Sequence, residues 1–181
     1  MTTSQASCLA AGALTGRTIV WVAGAPTPAL TAALAGLGAR PPGAATTPPD
    51  LVVADLRDSV APTAVDRPGR AGAVLTAAFT AARAGRDLLT GATGGGLLLT
   101  AADAPGPTGA ALHAGLTSLT RTLATEWAPQ HIRVNCLLTP QAPATQPLAD
   151  LIGYLAGPAA ALLTGQPLTL TPPAARPGRT A

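Results

Sequence analysis

The sequence contains no lysine: all 11 basic residues are arginine, and with 8 acidic residues the formal net charge is +3. The absence of lysine excludes mechanisms that need a lysine amine, such as Schiff-base formation or a lysine that assists a catalytic tyrosine. The arginines are scattered and form no basic run, whereas nucleic-acid-binding proteins concentrate basic residues on one face. We therefore expect no nucleic-acid partner.

Cysteine and aromatic residues are also scarce. Cys8 and Cys136 are the only cysteines, and aromatic residues make up 2% of the chain. Two cysteines cannot build a disulfide framework or a cysteine-based zinc site, so we expect no metal site. Long apolar runs and a positively charged leader are missing too, which predicts neither a membrane span nor a signal peptide and favours a cytoplasmic protein.

The apolar residues that are present alternate between two patterns. Short continuous apolar runs are typical of strands buried on both faces, and they span residues 18–23, 51–54, 97–99, 132–138 and 168–170. Segments with apolar residues at helical spacing lie between them, over residues 28–38, 69–86, 109–127 and 148–156. Strands that alternate with helices predict an α/β fold with a mostly parallel sheet covered by helices on both faces.

The length of 181 residues suits one compact domain. We expect that domain over residues 17–171, with a flexible leader over 1–16 and a flexible tail over 172–181. Thr27 fits the N-cap of the first helix, and Pro28 fits its first helical position. We expect the second helix to bury its large apolar residues, Val74, Leu75 and Phe79.

Two segments of the second half resemble the short-chain dehydrogenase/reductase family. Residues 114–135, with AGLTSLTRTLA, EWAP and IRVN, resemble the helix that carries on from the family's catalytic Tyr-x-x-x-Lys and the strand after it. Residues 149–156 and the TGQ of residues 164–166 are similar to the family's last helix and the approach to its final strand. Residues 17–40 match the first strand and helix more loosely. The resemblance implies a Rossmann-like three-layer fold, and we expect Asn135 to bridge backbone groups at the strand end.

The chain departs from the family at the residues that carry its chemistry. The glycine-rich nucleotide loop, Thr-Gly-x-x-x-Gly-x-Gly, corresponds to residues 23–30, where Gly24 is the remaining glycine of the motif. The tyrosine of Tyr-x-x-x-Lys falls on Gly109, and its lysine falls on His113. The catalytic serine would lie near Thr100. The resemblance therefore implies a degenerate member that lacks both the proton donor and the phosphate cradle.

The predicted strands also indicate a shortened fold. The strand at 51–54 follows the first helix so closely that the family's second and third strands, which form the adenosine half of a dinucleotide site, have no place in the chain. The segment between Asn135 and the next helix is short as well, whereas the family has a substrate lid there. We expect about five strands and no cofactor bound by this chain.

A few residues remain candidates for chemistry. The candidate catalytic residues are His113, Thr100 and Asp103; a histidine suits acid–base work, but His113 can equally be a solvent-facing or interface residue. If these residues form a catalytic site, we expect Asp55, at the end of the second strand, to belong to it as well. Arg57 lies between Asp55 and Asp58, and we expect these three to form surface ion pairs.

The best-retained elements are those that form subunit interfaces in the family, namely the long helix, the last helix and the last strand. We therefore expect a non-catalytic subunit that stabilises or activates an active NAD(P)-dependent ketoreductase or dehydrogenase of this family in a hetero-oligomer, expected as a heterotetramer, with NAD(P) held by the partner. The expected interface residues are Leu112, Leu116, Leu119, Leu123, Trp127 and Tyr154. Self-association, cofactor-independent cyclase, dehydratase or isomerase chemistry, and residual nucleotide binding at Gly24 remain as alternatives.

Overall fold

Five parallel strands form one sheet in the computed structural model, which describes residues 7–40, 48–59, 69–91 and 94–171. The strands lie in sequence order, β1 (Ile19–Ala23), β2 (Leu51–Asp55), β3 (Gly96–Ala102), β4 (Arg133–Thr139) and β5 (Pro167–Thr169). The helices between them are α1 (Pro28–Gly36), α2 (Arg70–Leu89), α3 (Gly106–Trp127) and α4 (Thr145–Ala156). The predicted α/β Rossmann-like fold with five strands is confirmed.

The side chains of the sheet divide the interior into two cores. One core lies on the α2–α3 face and includes Val52 and Leu97 of the sheet. The other lies on the α1–α4 face and includes Val53 and Leu98. β2, β3 and β4 are buried on both faces, apart from the half-buried Asp55, because helices cover both sides of the sheet. β1 forms one edge, and only Ile19 of its five residues is buried.

The connections between the strands do not all have the same hand. Every strand follows its predecessor in the same direction across the sheet, yet α1 and α4 pack on one face and α2 and α3 on the other. Because the hand of a parallel crossover depends on that direction and on the face, two of the four crossovers are left-handed. Such crossovers are right-handed in about 98% of known cases. The connectivity of this sheet is therefore unusual.

The α2–α3 pair packs closely through a glycine. A Cβ atom added to Gly115 of α3 would lie 2.5 Å from Cδ1 of Leu75 on α2. Val74 is buried and Leu75 is half-buried, as predicted, but Phe79 is 46% exposed. The prediction for Phe79 was wrong because α2 rotates this position away from the sheet and toward solvent.

Two polar residues of β4 hold the α4–β5 connection in place. The buried Arg133 donates from Nη1 to the carbonyls of Leu155 and Ala160, both at 3.1 Å, where the end of α4 presents unpaired carbonyls to a cation. Burial lowers the pKa of Arg133, and the nearby Arg17 charge adds to this effect. Asn135 donates to the carbonyl of Leu163 and accepts from the N–H of Gln166. The predicted bridging role of Asn135 is confirmed.

Residues 7–16 are packed against the domain, which corrects this part of the predicted flexible leader. Leu14 is 1% exposed and belongs to the α1–α4 core. The carboxylate of Asp150 on α4 accepts from Oγ of Ser7 at 2.6 Å and from the N–H of Cys8 at 2.8 Å. Residues 1–6 of the predicted leader and 172–181 of the predicted tail lie outside the described residues.

A truncation of Leu14 tests whether the N-terminal segment contributes to the core. We expect Leu14→Ala to lower the free energy of unfolding by about 2–4 kcal/mol, because it leaves a cavity at a fully buried position. The matched control is Leu162→Ala, at a leucine that is 97% exposed, which should change it by about 0.5 kcal/mol or less. Urea denaturation measures the free energy of unfolding of both variants. If the two substitutions lower it equally, residues 7–16 do not pack as described.

Candidate functional site

The carboxyl ends of the strands carry the group of polar residues expected for a site. In open parallel α/β sheets this edge is where ligands bind. Here it brings together Asp55 at the end of β2, Thr100 in β3, and Gln141 just after β4, with Gly24 directly after β1. These residues come from four separate segments, and the parallel register of the sheet alone brings them to one edge.

A buried ion pair occupies the centre of this edge. Nε of Arg57 lies 2.8 Å from Oδ1 of Asp55, and Nη2 lies 2.5 Å from Oδ2, so the guanidinium donates to both carboxylate oxygens. Both side chains are nearly buried, at 10% and 12% exposure. Oγ1 of Thr100 donates to Oδ1 of Asp55 at 3.0 Å, and Nε2 of Gln141 donates to the carbonyl of Arg57 at 3.2 Å. The predicted pairing of Asp55 with Arg57 is present, but it is buried rather than on the surface.

This arrangement keeps Asp55 ionised. Burial by itself would raise the pKa of Asp55, but the hydrogen bonds and charge of Arg57, together with the hydroxyl of Thr100, outweigh burial and hold the pKa below its ordinary value. The hydrogen bond to Asp55 raises the pKa of Arg57 in turn. A carboxylate held in this way is a poor proton donor, and its oxygens are already occupied.

The turn between β1 and α1 leaves no cradle for a dinucleotide's phosphates. Gly24 has φ of 66°, and a Cβ atom there would lie 2.6 Å from the carbonyl oxygen of Asp55. At the start of α1, Oγ1 of Thr27 accepts from the N–H of Leu30 at 3.2 Å, which confirms the predicted N-cap, and Pro28 has no N–H to offer. A phosphate site at a helix N-terminus needs free N–H groups. This turn therefore offers fewer N–H donors to a pyrophosphate than a glycine-rich loop does.

Position 109, where the resemblance would place the family's tyrosine, is closed by the backbone. A Cβ atom added to Gly109 would lie 1.7 Å from the carbonyl oxygen of Ala104. Any side chain at position 109 would therefore force the segment before α3 to move. A phenol cannot occupy this place in the observed conformation.

The predicted catalytic candidates do not form one site. Thr100 and Asp55 meet, as described above. Asp103 is exposed, and its backbone N–H donates to the carbonyl of Thr139 at 2.7 Å. His113 is exposed on the outer side of α3, in a shallow groove with Ala110 and Thr117. Among the described residues, no hydrogen bond or ion pair joins the His113 or Asp103 side chain to the Asp55–Arg57 pair.

Gln141 is a part of this edge that the sequence analysis missed. The pairing of Arg57 could be predicted because this arginine lies between two aspartates directly after a strand. Gln141 carries no local signal, because only the parallel register of β2 with β4 across β3 brings it to the carbonyl of Arg57.

Four of the predicted interface residues are core residues instead. Leu112, Leu116, Leu123 and Trp127 are each 4% exposed or less and pack against the sheet in the α2–α3 core. Their helical spacing is real, but the stripe faces inward, so no partner reaches it. Leu119 is half-buried beside this core, and Tyr154 is 38% exposed, with its hydroxyl donating to the carbonyl of Ala159 at 3.2 Å.

Two features are absent from the described residues, namely a membrane-crossing helix and a metal-binding cluster. None of the helices in that part of the chain is long and apolar enough to cross a bilayer. Likewise, no cluster of three or more histidine, cysteine, aspartate or glutamate side chains that could hold a metal ion occurs among the residues described.

Substitution at Gly109 tests the closed position. We expect Gly109→Ala to lower the free energy of unfolding by about 2 kcal/mol or more, because the new methyl group collides with the Ala104 carbonyl. Gly72→Ala is the matched control on α2, where an added Cβ meets nothing within 4 Å, and it should stabilise the protein by up to about 1 kcal/mol. If the two variants melt alike, the Ala104–Gly109 contact is not formed in solution.

Removal of the Asp55 charge has a pH-dependent effect. We expect Asp55→Asn to lower the free energy of unfolding at pH 7 by about 3 kcal/mol, because it leaves the buried Arg57 charge without its partner. Since folding lowers the pKa of Asp55, its stabilisation is present above the ordinary carboxyl pKa of about 3.9 and is lost as the pH falls through the folded-state pKa. The difference between wild type and variant should therefore shrink below about pH 4. Urea denaturation midpoints at pH 7, 5 and 3 measure this stability difference, and Asp103→Asn, at an exposed aspartate, is the control. A difference that does not change with pH would contradict the ion pair.

Comparison with known proteins identifies the fold. No protein-family model matches the sequence, and no curated protein shows significant similarity to it. Among solved structures, the chain is similar to a citronellol catabolism dehydrogenase from Pseudomonas aeruginosa, with a TM-score of 0.64 and 21% identity over 91% of this chain and 97% of that chain. It is also similar to a 4-hydroxyisoleucine dehydrogenase complexed with NADH, with a TM-score of 0.50 and 21% identity over 68% of this chain and 67% of that chain. A third similar structure is a protein from Burkholderia xenovorans named as a short-chain dehydrogenase/reductase, with a TM-score of 0.61 and 16% identity over 88% of this chain and 96% of that chain. The chain therefore has the Rossmann-like fold of short-chain dehydrogenase/reductase structures.

Proposed function

We propose that this chain is a non-catalytic subunit that binds a catalytically active NAD(P)-dependent short-chain dehydrogenase/reductase and stabilises or activates it in a hetero-oligomer. The observation that carries the proposal is the outer face of α2 and α3. In the single chain this face includes an exposed aromatic residue of α2 and a groove of mostly small side chains on α3.

The outer face has the form of a surface for packing helices. Phe79 of α2 is 46% exposed, which is a large apolar area for a helix that faces water. The outer groove of α3 is lined mainly by short side chains, namely Ala110, Ala114, Thr117 and Ser118. Small residues allow the backbones of a second helix pair to approach closely, and an exposed aromatic residue on the same helix pair can act as an anchor.

The helix pair is already in place before any partner arrives. Leu75 of α2 fills the space over Gly115 of α3, so the two helices are locked against each other. Beneath them, Leu112 and Leu116 fix α3 to the sheet. A preformed face of this kind loses little conformational entropy on binding, which favours association.

The closed carboxyl edge supports a role without catalysis. The carboxylate and guanidinium there bind each other, the N-cap of α1 is satisfied by Thr27, and the Ala104 carbonyl stands where a proton donor would be needed. A proton donor must lie within hydrogen-bond distance of the group it protonates. In this proposal the partner subunit binds NAD(P) and carries out the hydride transfer, and this chain supplies packing surface alone.

We further infer that the chain is a shortened and degenerate member of the family. The direct contact of β1 with β2 and the capped turn between β1 and α1 support this inference. The alternative, chemistry without a cofactor, has less support. Of its four groups, only Thr100 and Asp55 lie together, and Arg57 already binds the carboxylate.

Co-expression with the short-chain dehydrogenase/reductase encoded nearest to this chain tests the proposal. We expect native mass spectrometry to show a defined mixed oligomer, with turnover that depends on both chains. Phe79→Arg should weaken the mixed oligomer by about 30-fold or more, because it places a charge at the centre of the apolar contact.

The matched control is Leu88→Arg, at an equally exposed apolar residue of α2 (43%) that lies nine residues away and so on the opposite side of the helix. This variant should leave the mixed oligomer intact. The absence of a mixed species with the wild-type chain, or equal loss in both variants, would overturn the proposal.

A further inference from the structure

The amino ends of the strands surround a cavity, at the opposite edge of the sheet from the Asp55–Arg57 pair. The cavity has a volume of about 610 Å³. Its charged lining residues are Arg17 just before β1, Asp50 just before β2 and Arg133 at the start of β4. Pockets that bind small molecules commonly have volumes of about 300–1,000 Å³. This cavity is therefore large enough for a small organic molecule.

Arg133 is a buried cation whose hydrogen-bond partners carry no charge. It is 9% exposed, and its Nη1 atom donates to the carbonyls of Leu155 and Ala160. Nη2 lies 3.4 Å from the carbonyl oxygen of Gly94, and in the described part of the chain nothing accepts from Nε. Carbonyl oxygens satisfy N–H groups but have no net charge, whereas a buried arginine is normally paired with an anion. Arg133 therefore keeps both a free donor and an uncompensated charge.

The carboxylate in the same cavity serves another cation. Oδ1 of Asp50 accepts from Nη1 of Arg17 at 2.5 Å, and Oδ2 accepts from the N–H of Thr18 at 2.8 Å. Burial lowers the pKa of Arg133, the charge of Arg17 lowers it further, and Asp50 opposes this effect. Two arginines against one aspartate give the described lining a net charge of +1. One positive charge thus remains for a ligand to neutralise.

The uncharged part of the lining favours a ligand with a short apolar body. The end of α4 and the turn after it contribute Ala156, Pro158 and Ala161, and Pro49 lies before β2. Guanidinium groups bind carboxylates and phosphates through paired N–H···O hydrogen bonds. A single negative charge neutralises this cavity, whereas a phosphate dianion would leave excess negative charge beside the carbonyl end of α4. The charge balance therefore favours a carboxylate.

We propose that this cavity binds a small organic acid with one carboxylate, which pairs with Arg133 while its apolar body lies against Ala156 and Pro158. Such a ligand would connect the starts of β1, β2 and β4 with the end of α4, so its binding should stabilise the folded chain. The site does not depend on the proposed function, because it lies at the amino edge of the sheet and not on the outer sides of α2 and α3.

Thermal unfolding of the full-length chain with butanoate tests the proposal. We expect about 10 mM sodium butanoate to raise the melting temperature by about 3 °C or more, because a ligand with a millimolar dissociation constant that binds only the folded chain stabilises it. Butyramide, which has a similar shape without the charge, and sodium chloride at the same concentration should have little effect. Methyl phosphate, a dianion at mildly alkaline pH, should bind more weakly than butanoate.

The two partners of one ion pair provide matched variants. Arg17→Gln and Asp50→Asn break the same contact, but the first lowers the net charge of the cavity and the second raises it. We expect Arg17→Gln to weaken butanoate binding by about fivefold or more and Asp50→Asn to tighten it by about threefold or more. Isothermal titration calorimetry measures both affinities. Arg121→Gln, at an exposed arginine of α3, should leave the affinity unchanged.

Nuclear magnetic resonance of the arginine side chains locates the ligand. The Nε–H signal of Arg133 should shift as butanoate is added, whereas the signal of Arg57 should not; the reverse would overturn the proposal. It would equally be overturned if butanoate stabilises the chain no more than butyramide does, or if methyl phosphate binds more tightly than butanoate. A loss of affinity in both Arg17→Gln and Asp50→Asn would also contradict it, because the broken ion pair alone would then explain the result.

Discussion

The three central strands are buried on both faces, and the rest of the structure depends on this constraint. A sheet of this kind needs helices on both sides, and here α1 and α4 pack on one face and α2 and α3 on the other. Because the strands also lie in sequence order, two crossovers must be left-handed. The same arrangement places β1 at an edge, with α1 beside it and no charged residue in either.

The carboxyl edge of the sheet is where a fold of this type normally binds a ligand, and here the chain fills that edge itself. The Asp55–Arg57 pair, the capped start of α1 and the contact of Ala104 with Gly109 are three separate features with one consequence. Each turns a group that could meet a substrate or cofactor toward another part of the protein.

Two surfaces outside the carboxyl edge differ in chemistry. The α2–α3 face combines small residues with an exposed aromatic residue and a few charged groups such as Arg121, and this pattern suits a helix pair from a related chain. The groove beside β1 and α1 is mainly apolar and has the exposed Arg40 at its border.

The sequence by itself determined the element order, the parallel α/β class, the N-cap at Thr27 and the bridging role of Asn135, because these depend on local periodicity, on short-range capping or on a short motif. The further expectation of a degenerate nucleotide loop and an absent Tyr-x-x-x-Lys pattern came from a resemblance to the family and stays a prediction. Only the tertiary structure decided that the leucine stripe of α3 faces inward, that Phe79 faces outward, that residues 7–16 are packed and that Gln141 reaches Arg57. Helical spacing defines a stripe but not its direction, and which side is buried depends on the neighbours that the sheet register and the crossovers bring to it.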